Sequence, residues 1–186
     1  ISFQKKAQVL GLRISQYNMH MQFLGNPGTG KTTVARIIAN MLYDIGVLKE
    51  NKLIEVERKD LVAGYTGQTA IKTNEKIKEA LGGILFIDEA YSLYLDNNDT
   101  FGKEAIATLI KAMEDHKDNL IIIFAGYEKE MHDFLKSNSG VESRIGYSFH
   151  FEDYNNNQLT EIYIRNLKKQ GFDYDENILS RLNEIW

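Results

Sequence analysis

Lys31 and Thr32 close the stretch Gly25-Asn26-Pro27-Gly28-Thr29-Gly30-Lys31-Thr32, which fits the pattern GxxxxGKT. A polyphosphate concentrates negative charge in a small volume. A glycine-rich turn lets successive backbone N–H groups point inward at that charge with no Cβ in the way. In such a loop Lys31 supplies a mobile positive charge at the outer phosphates, and the Thr32 hydroxyl supplies a ligand for Mg2+. The second chemistry-bearing pair is Asp88-Glu89, directly after the apolar run Ile84-Leu85-Phe86-Ile87. Two carboxylates at a strand end suit the other half of a nucleoside triphosphate site: Asp88 to hold Mg2+ through its water shell, Glu89 to polarise an attacking water. The bland alternatives are a glycine-rich turn with no ligand and an acidic strand end facing solvent.

The flanking elements favour the chemical reading. His20-Met21-Gln22-Phe23-Leu24 reads as a strand entering the loop. After the loop, Val34, Ile37, Ile38, Met41, Leu42 and Ile45 recur at helical spacing, and Gly46 supplies a stop. That helix starts at the loop and aims its positive N-terminal dipole at the phosphates. Leu53 to Arg58 alternates as an edge-like strand, with Ile54 and Val56 on one side. The turn Leu61 to Gln68 and a polar helix from Thr69 to Leu81 follow. Ile84 to Ile87 and Leu120 to Ala125 are continuous apolar runs, as expected of strands buried on both faces of a parallel sheet. Between them lie a polar loop, Asp96 to Thr100, and a helix with Ala105 or Ile106, Leu109, Ile110 and Met113 on one face. A short helix at Lys129 to Lys136, a turn carrying Ser143-Arg144-Ile145 and a strand at Tyr147 to Phe151 complete the alternation. Strands alternating with helices imply right-handed crossovers and a ligand outside the carboxyl ends of the strands, so the loop and Asp88-Glu89 share one rim. From Asn155 the pattern is helix only, with a second helix from Asp175, which sets a domain boundary near Asp153. Ile1 to Leu10 reads as a short helix and Gly11 to Asn18 as a connector.

Composition narrows the functional classes. A chain of 186 residues that is 43% hydrophobic can bury a real core as one domain plus part of another. A net charge of −4 disfavours a duplex-binding surface, and hence a nucleic-acid motor or loader. Absence of cysteine excludes disulfides and thiolate metal sites and suits a reducing cytoplasm. Leu120 to Ala125, the longest apolar run, is too short to span a bilayer. The chain begins at Ile1 and stops at Trp186 inside a helical pattern, so a fragment cut at both ends is expected. The four histidines, His20, His116, His132 and His150, lack ligand spacing and are expected to be structural or solvent-facing. Other triphosphatase classes fit less well. Asn51-Lys52-Leu53-Ile54 lacks the Asp of a guanine-reading NKxD, a nucleoside kinase does not need Glu89, and Asp88-Glu89-Ala90-Tyr91 is not a helicase DEAD box.

Taken together, GNPGTGKTTV at Gly25 to Val34, ILFIDEAY at Ile84 to Tyr91, IFAGY at Ile123 to Tyr127 and ESRI at Glu142 to Ile145 resemble the CbxX/CfqX group of AAA+ ATPases. That group includes red-type Rubisco activases and stage V sporulation protein K. Gly102-Lys103-Glu104-Ala105, Leu109 and Met113-Glu114 extend the likeness, which covers roughly residues 20 to 186. The fold it implies is α/β: a P-loop three-layer αβα core with a parallel five-stranded sheet over residues 1 to 152, then the start of an α-helical lid over 153 to 186.

The resemblance implies ATP and Mg2+ as ligands, hydrolysis of ATP to ADP and phosphate, a homo-hexameric ring in the cytoplasm and chaperone-like remodelling of an unidentified protein client. Gly25 to Thr33 form the nucleotide cradle, and Thr32 and Asp88 serve Mg2+. Arg144 matches the arginine finger that reaches a neighbouring subunit's γ-phosphate; on the residues alone it could equally pair with Glu142 or another surface acid. Tyr65, in Gly64-Tyr65-Thr66-Gly67, matches the aromatic of a central pore loop that grips an extended polypeptide; an ordinary turn tyrosine is the alternative. Most AAA+ proteins end the fourth strand on Asn, Thr or Ser to orient the attacking water. Here that place holds Gly126-Tyr127, as in the group's AGY, and Tyr127 is the candidate sensor. Part of the family's adenine pocket comes from a segment upstream, and a second sensor arginine from lid sequence after Trp186; Arg165 and Arg181 lie too early for that role. Weak ATP binding, poor turnover and a mostly monomeric state are therefore expected of this stretch alone. The alternative function is a scaffold whose assembly ATP controls, with incidental turnover.

Overall fold

The computed structural model describes residues 18–65 and 67–172. The expected helix at Ile1 to Leu10, most of the connector after it, and the helix from Asp175 lie outside those residues. The chain divides into two compact units, residues 1–151 and 152–186.

In the first unit, β1 (His20–Gly25), β2 (Leu53–Val56), β3 (Ile84–Ile87), β4 (Ile121–Gly126) and β5 (Ile145–Phe151) form one five-stranded sheet in the order β2-β3-β4-β1-β5. Every pairing is parallel. The helices are α1 (Lys31–Asp44), α2 (Arg58–Leu61), α3 (Thr69–Ala80), α4 (Thr100–Asp115), α5 (Glu128–Ser137) and α6 (Ser139–Glu142). Successive residues of a strand point to opposite faces, so β3 and β4 serve two cores at once. Leu85, Ile87, Ile122 and Phe124 pack with Leu61, Ile77, Leu109, Met113 and Phe134, beneath α2 to α6. Ile84, Phe86, Ile121, Ile123 and Ala125 pack with Phe23, Ala35 and Ala39, beneath α1. The result is three layers.

Handedness explains the unequal layers. The step from β1 to β2 runs across the sheet in one direction, and the steps from β2 through β5 run back in the other. Right-handed crossovers in opposite directions put their helices on opposite faces. The chain therefore leaves β1 toward one face and its neighbour β4 toward the other, opening a crevice at their carboxyl ends.

The expected strand at Leu53 to Arg58 ends at Val56, because the chain turns at Glu57 into α2. There the Asp60 carboxylate accepts a hydrogen bond from the Glu57 N–H at 2.9 Å. A short helix, α6, precedes the turn expected at Ser143-Arg144-Ile145, and β5 starts at Ile145 rather than Tyr147. In the second unit α7 (Asn156–Lys169) opens with a reciprocal cap, Asn155 accepting from Gln158 N–H while the Gln158 side chain accepts from Asn155 N–H.

His20 is structural, as expected of the histidines, and deeply buried. Its Nδ1 accepts the Ile122 N–H at 3.0 Å, which makes Nε2 the donor to the Met113 carbonyl, also at 3.0 Å. Burial lowers its pKa below the usual histidine value; the Met113 bond opposes this, and nearby Arg144 adds to it. Protonation would cost the Nδ1 acceptor. The unfolded chain therefore binds the proton more readily, and stability rises with pH. His20's contribution is full above the unfolded value of about 6.5 and is lost as pH falls through its lower folded value, with a slope of at most about 1.4 kcal/mol per pH unit. Urea midpoints measured from pH 7.5 down to about 5 should fall in the wild type and fall less steeply in His20→Gln.

Candidate functional site

Gly25 ends β1 at φ +154°, and a Cβ there would lie 2.4 Å from the Phe151 carbonyl oxygen of β5. No other residue fits that approach. Gly28 (φ +77°) and Gly30 (φ +92°) occupy left-handed backbone that glycine adopts at least cost. Thr29 is buried and its hydroxyl donates to the Asn26 carbonyl at 2.8 Å, tying the loop to itself. Gly30 caps α1 without any side-chain cap, and the first internal bond of the helix runs from Val34 N–H to Gly30 carbonyl at 2.9 Å. The N–H groups of Lys31, Thr32 and Thr33 therefore precede the helical ladder, where an anion can take them. Lys31 Nζ donates to the Gly25 and Asn26 carbonyls at 2.8 Å each, so the ammonium is held over the loop. Partial burial lowers its pKa, and Asp88 and Glu89 oppose that shift.

Across the crevice, β3 delivers Asp88 and Glu89. Asp88 N–H donates to the Val56 carbonyl at 2.9 Å and the Asp88 side chain accepts from Glu89 N–H at 3.0 Å. Glu89 stands at φ +47° and ψ +45°, left-handed backbone that a non-glycine residue adopts at a cost on the order of 1–2 kcal/mol. Such strain clusters at functional positions. Its side chain is exposed to the cleft. Immediately after it, Ala90–Leu93 forms a 3-10 turn carrying Tyr91. The Tyr91 hydroxyl is pushed up to about 12 by burial first and then by the charge of Glu89, so it stays protonated beside the carboxylates.

These pieces line one cleft of about 320 Å³, bounded by Gly25, Pro27, Gly28, Gly30, Lys31, Thr32, Thr33, Asp88, Glu89, Gly126 and Tyr127. Of the residues expected at the cradle, Asn26 and Thr29 stay off its wall, acting through the loop's own hydrogen bonds. Arg144 lies outside the cleft. Its guanidinium donates to the Gly140 carbonyl at 3.0 Å and approaches Glu114 at 3.4 Å, rather than Glu142, and its Nε is buried without a partner among the described residues. Tyr65 is 74% exposed, on the turn between α2 and α3.

No cluster of three or more metal-ligating side chains occurs among the described residues. Mg2+ needs no such cluster, being held by one or two protein ligands together with phosphates and water. Thr32 and Asp88, both on the cleft wall, have the right chemistry.

The architecture matches known proteins. The model of the ATPase family associated with various cellular activities (AAA) matches residues 21–152, the loop, both carboxylates and the whole sheet but for the start of β1. The chain belongs to the AAA family. It is 48% identical over 181 residues to stage V sporulation protein K of Bacillus subtilis, covering 97% of this chain and 56% of that protein. It is 46% identical over 170 residues to protein CbbX of Cereibacter sphaeroides, covering 91% and 55%. The chain thus spans about half the length of these curated relatives. Both likenesses agree with the CbxX/CfqX resemblance within the AAA family. Among solved structures, the FIGL-1 AAA domain in complex with ADP superposes with a TM-score of 0.67 at 18% identity, covering 99% of this chain and 60% of that one, a likeness of fold.

Two features of this AAA site escaped sequence reading. One is the packing of Tyr91 against Tyr127, ring centroids 5.8 Å apart. The aromatic in Asp88-Glu89-Ala90-Tyr91 was its only signal. The other is a clamp beside the turn that follows β3: Arg58 of α2 donates to the Ser92 carbonyl at 2.7 Å and to both Asp99 oxygens at 2.7 and 3.0 Å. The Arg58 bonds hold the Asp99 carboxyl below its usual range against the opposing effect of burial, and Asp99 also caps α4 through Gly102 N–H. The clamp joins the segment leading to Tyr65 to the turn that follows Glu89.

Proposed function

We propose that this chain is the nucleotide-binding core of a ring-forming ATPase that hydrolyses ATP and uses the energy to remodel a protein client. The observation that carries the reading is the convergence of Lys31, Thr32, Asp88 and Glu89 on one cleft that also receives the open N-terminus of α1. The backbone N–H groups of the loop and Lys31 take the phosphates, the lysine exchanging its carbonyl partners at Gly25 and Asn26 for phosphate oxygens. Thr32, and Asp88 through water, would hold Mg2+, which would supply positive charge to offset that of the phosphates. Glu89 accepts the proton of the attacking water, and its left-handed backbone aims the carboxylate into the cleft. Tyr127, on the cleft wall at the end of β4, is the candidate sensor of the γ-phosphate.

Arg144 acts in trans as the arginine finger, a role that can contribute about 10³ to 10⁵ in rate. Its position outside its own cleft, where it meets Gly140, Ser143 and Glu114, supports that assignment. Residues 1–152 form the core and 153–186 begin a helical lid. A homo-hexamer in the cytoplasm completes the reading, and no helix among the described residues is long and apolar enough to cross a membrane.

The exposure of Tyr65 supports a client-gripping role, since a solvent-facing ring can make apolar contact indifferent to sequence. Tyr65→Ala in the full-length protein separates a motor from an ATP-controlled scaffold. Client remodelling is expected to fall at least about tenfold while phosphate release continues, as loss of an aromatic anchor costs on the order of 2 kcal/mol or more. Undiminished remodelling in that variant would refute the motor.

A further inference from the structure

Gly126, at the end of β4, has ordinary strand backbone, so conformation does not require glycine there. Space does. A Cβ at this position would lie 2.8 Å from Tyr91 Cδ1, 2.9 Å from Met131 Cγ and 3.0 Å from Met131 Sδ. The ring of Tyr91 and the side chain of fully buried Met131 therefore together occupy the place where a side chain from the strand end would project. The Tyr127 ring meets it at 5.8 Å and an interplanar angle of 37°, and Tyr127 is part of the cleft wall. Tyr91 also belongs to the 3-10 turn whose first residue follows the left-handed Glu89. One ring thus touches the end of β4, the cleft-wall tyrosine and the turn that presents the carboxylate.

We propose that Tyr91 is a positioning residue for hydrolysis, its ring replacing the strand-end side chain that Gly126 lacks, bracing Tyr127 on the cleft wall and fixing the turn that aims Glu89. This rests on the ATPase reading above. Packing of this kind acts on the geometry of the reacting groups rather than on nucleotide contacts, so it separates kcat from binding.

The test uses the full-length protein, with ATP turnover and equilibrium ATP affinity measured side by side. Tyr91→Ala should lower kcat at least about tenfold and leave ATP affinity within about threefold, while Tyr91→Phe, which keeps the ring, should recover kcat to within about threefold of wild type. Gly126→Asn should reproduce the loss by expelling the ring. Wild-type kcat in Tyr91→Ala, or in Gly126→Asn, would overturn the proposal, as would kcat and affinity falling together in Tyr91→Ala. Should Tyr91→Ala not fold, Gly126→Asn and Tyr91→Phe still decide: a tolerated amide, or a phenylalanine as slow as Gly126→Asn, contradicts a role for the ring. A wild-type protein that hydrolyses no ATP would instead refute the ATPase reading itself.

Discussion

Replacing Glu89 by Gln is expected to leave ATP bound and to slow its hydrolysis by about 10² to 10⁴, the usual contribution of a positioned general base. Glutamine has nearly the same size and shape and occupies left-handed backbone at a cost similar to that of glutamate, so the turn at φ +47° is neither relieved nor worsened. The side chain is exposed, so no buried contact is lost. Only the proton acceptor disappears. ATP affinity by fluorescence titration and phosphate release by a coupled assay separate the two effects. Full turnover in Glu89→Gln would remove Glu89 from the chemistry.

Lys31→Ala should act at the earlier step, lowering ATP affinity by two orders of magnitude or more, since hydrogen bonds to charged groups contribute roughly 1.5–3 kcal/mol each. The lysine has two tasks. Its ammonium is the mobile charge of the loop, and without nucleotide it is also a strut, joining the Gly25 and Asn26 carbonyls at 2.8 Å. Alanine removes both, although the Asn26 carbonyl keeps the Thr29 hydroxyl as a donor. The fold should survive, because Ala35 and Ala39, rather than Lys31, seat α1 on the sheet. Thermal unfolding close to that of the wild type, with ATP binding lost, is the expected pair of results.

Local pattern was legible where one face of an element sets the residue types. The runs at Ile84 to Ile87 and Leu120 to Ala125 read as doubly buried strands, and Ile84–Ile87 and Ile121–Gly126 are buried throughout. That the loop and Asp88-Glu89 share one rim was legible from the alternation of strands and helices, and residues of both line one cleft. The order of the strands was not, since β1 pairs with β4 and β5, both far along the chain, and no local signal records that pairing. The helix α2 was too short to show a period, and Glu57 with Asp60 was the only sign of its start. The left-handed backbone of Glu89 had no signal, since strain at a non-glycine residue is imposed by surrounding structure. Nor could spacing alone reveal that Arg58 and Asp99 meet, or that Tyr91 fills the space over Gly126. Such contacts arise only once the sheet has brought three strand ends together.

The proposed function divides the cleft into a loop that binds and a strand end that reacts, and ATP affinity measured together with single-turnover phosphate release on full-length wild type, Lys31→Ala and Glu89→Gln tests that division most directly. The prediction is failure at two different steps: Lys31→Ala loses binding, whereas Glu89→Gln binds like wild type and releases phosphate at least about 100-fold more slowly. If both variants lost affinity equally, or if either hydrolysed ATP at the wild-type rate, the loop and the carboxylate pair would not be the two halves of one ATPase site.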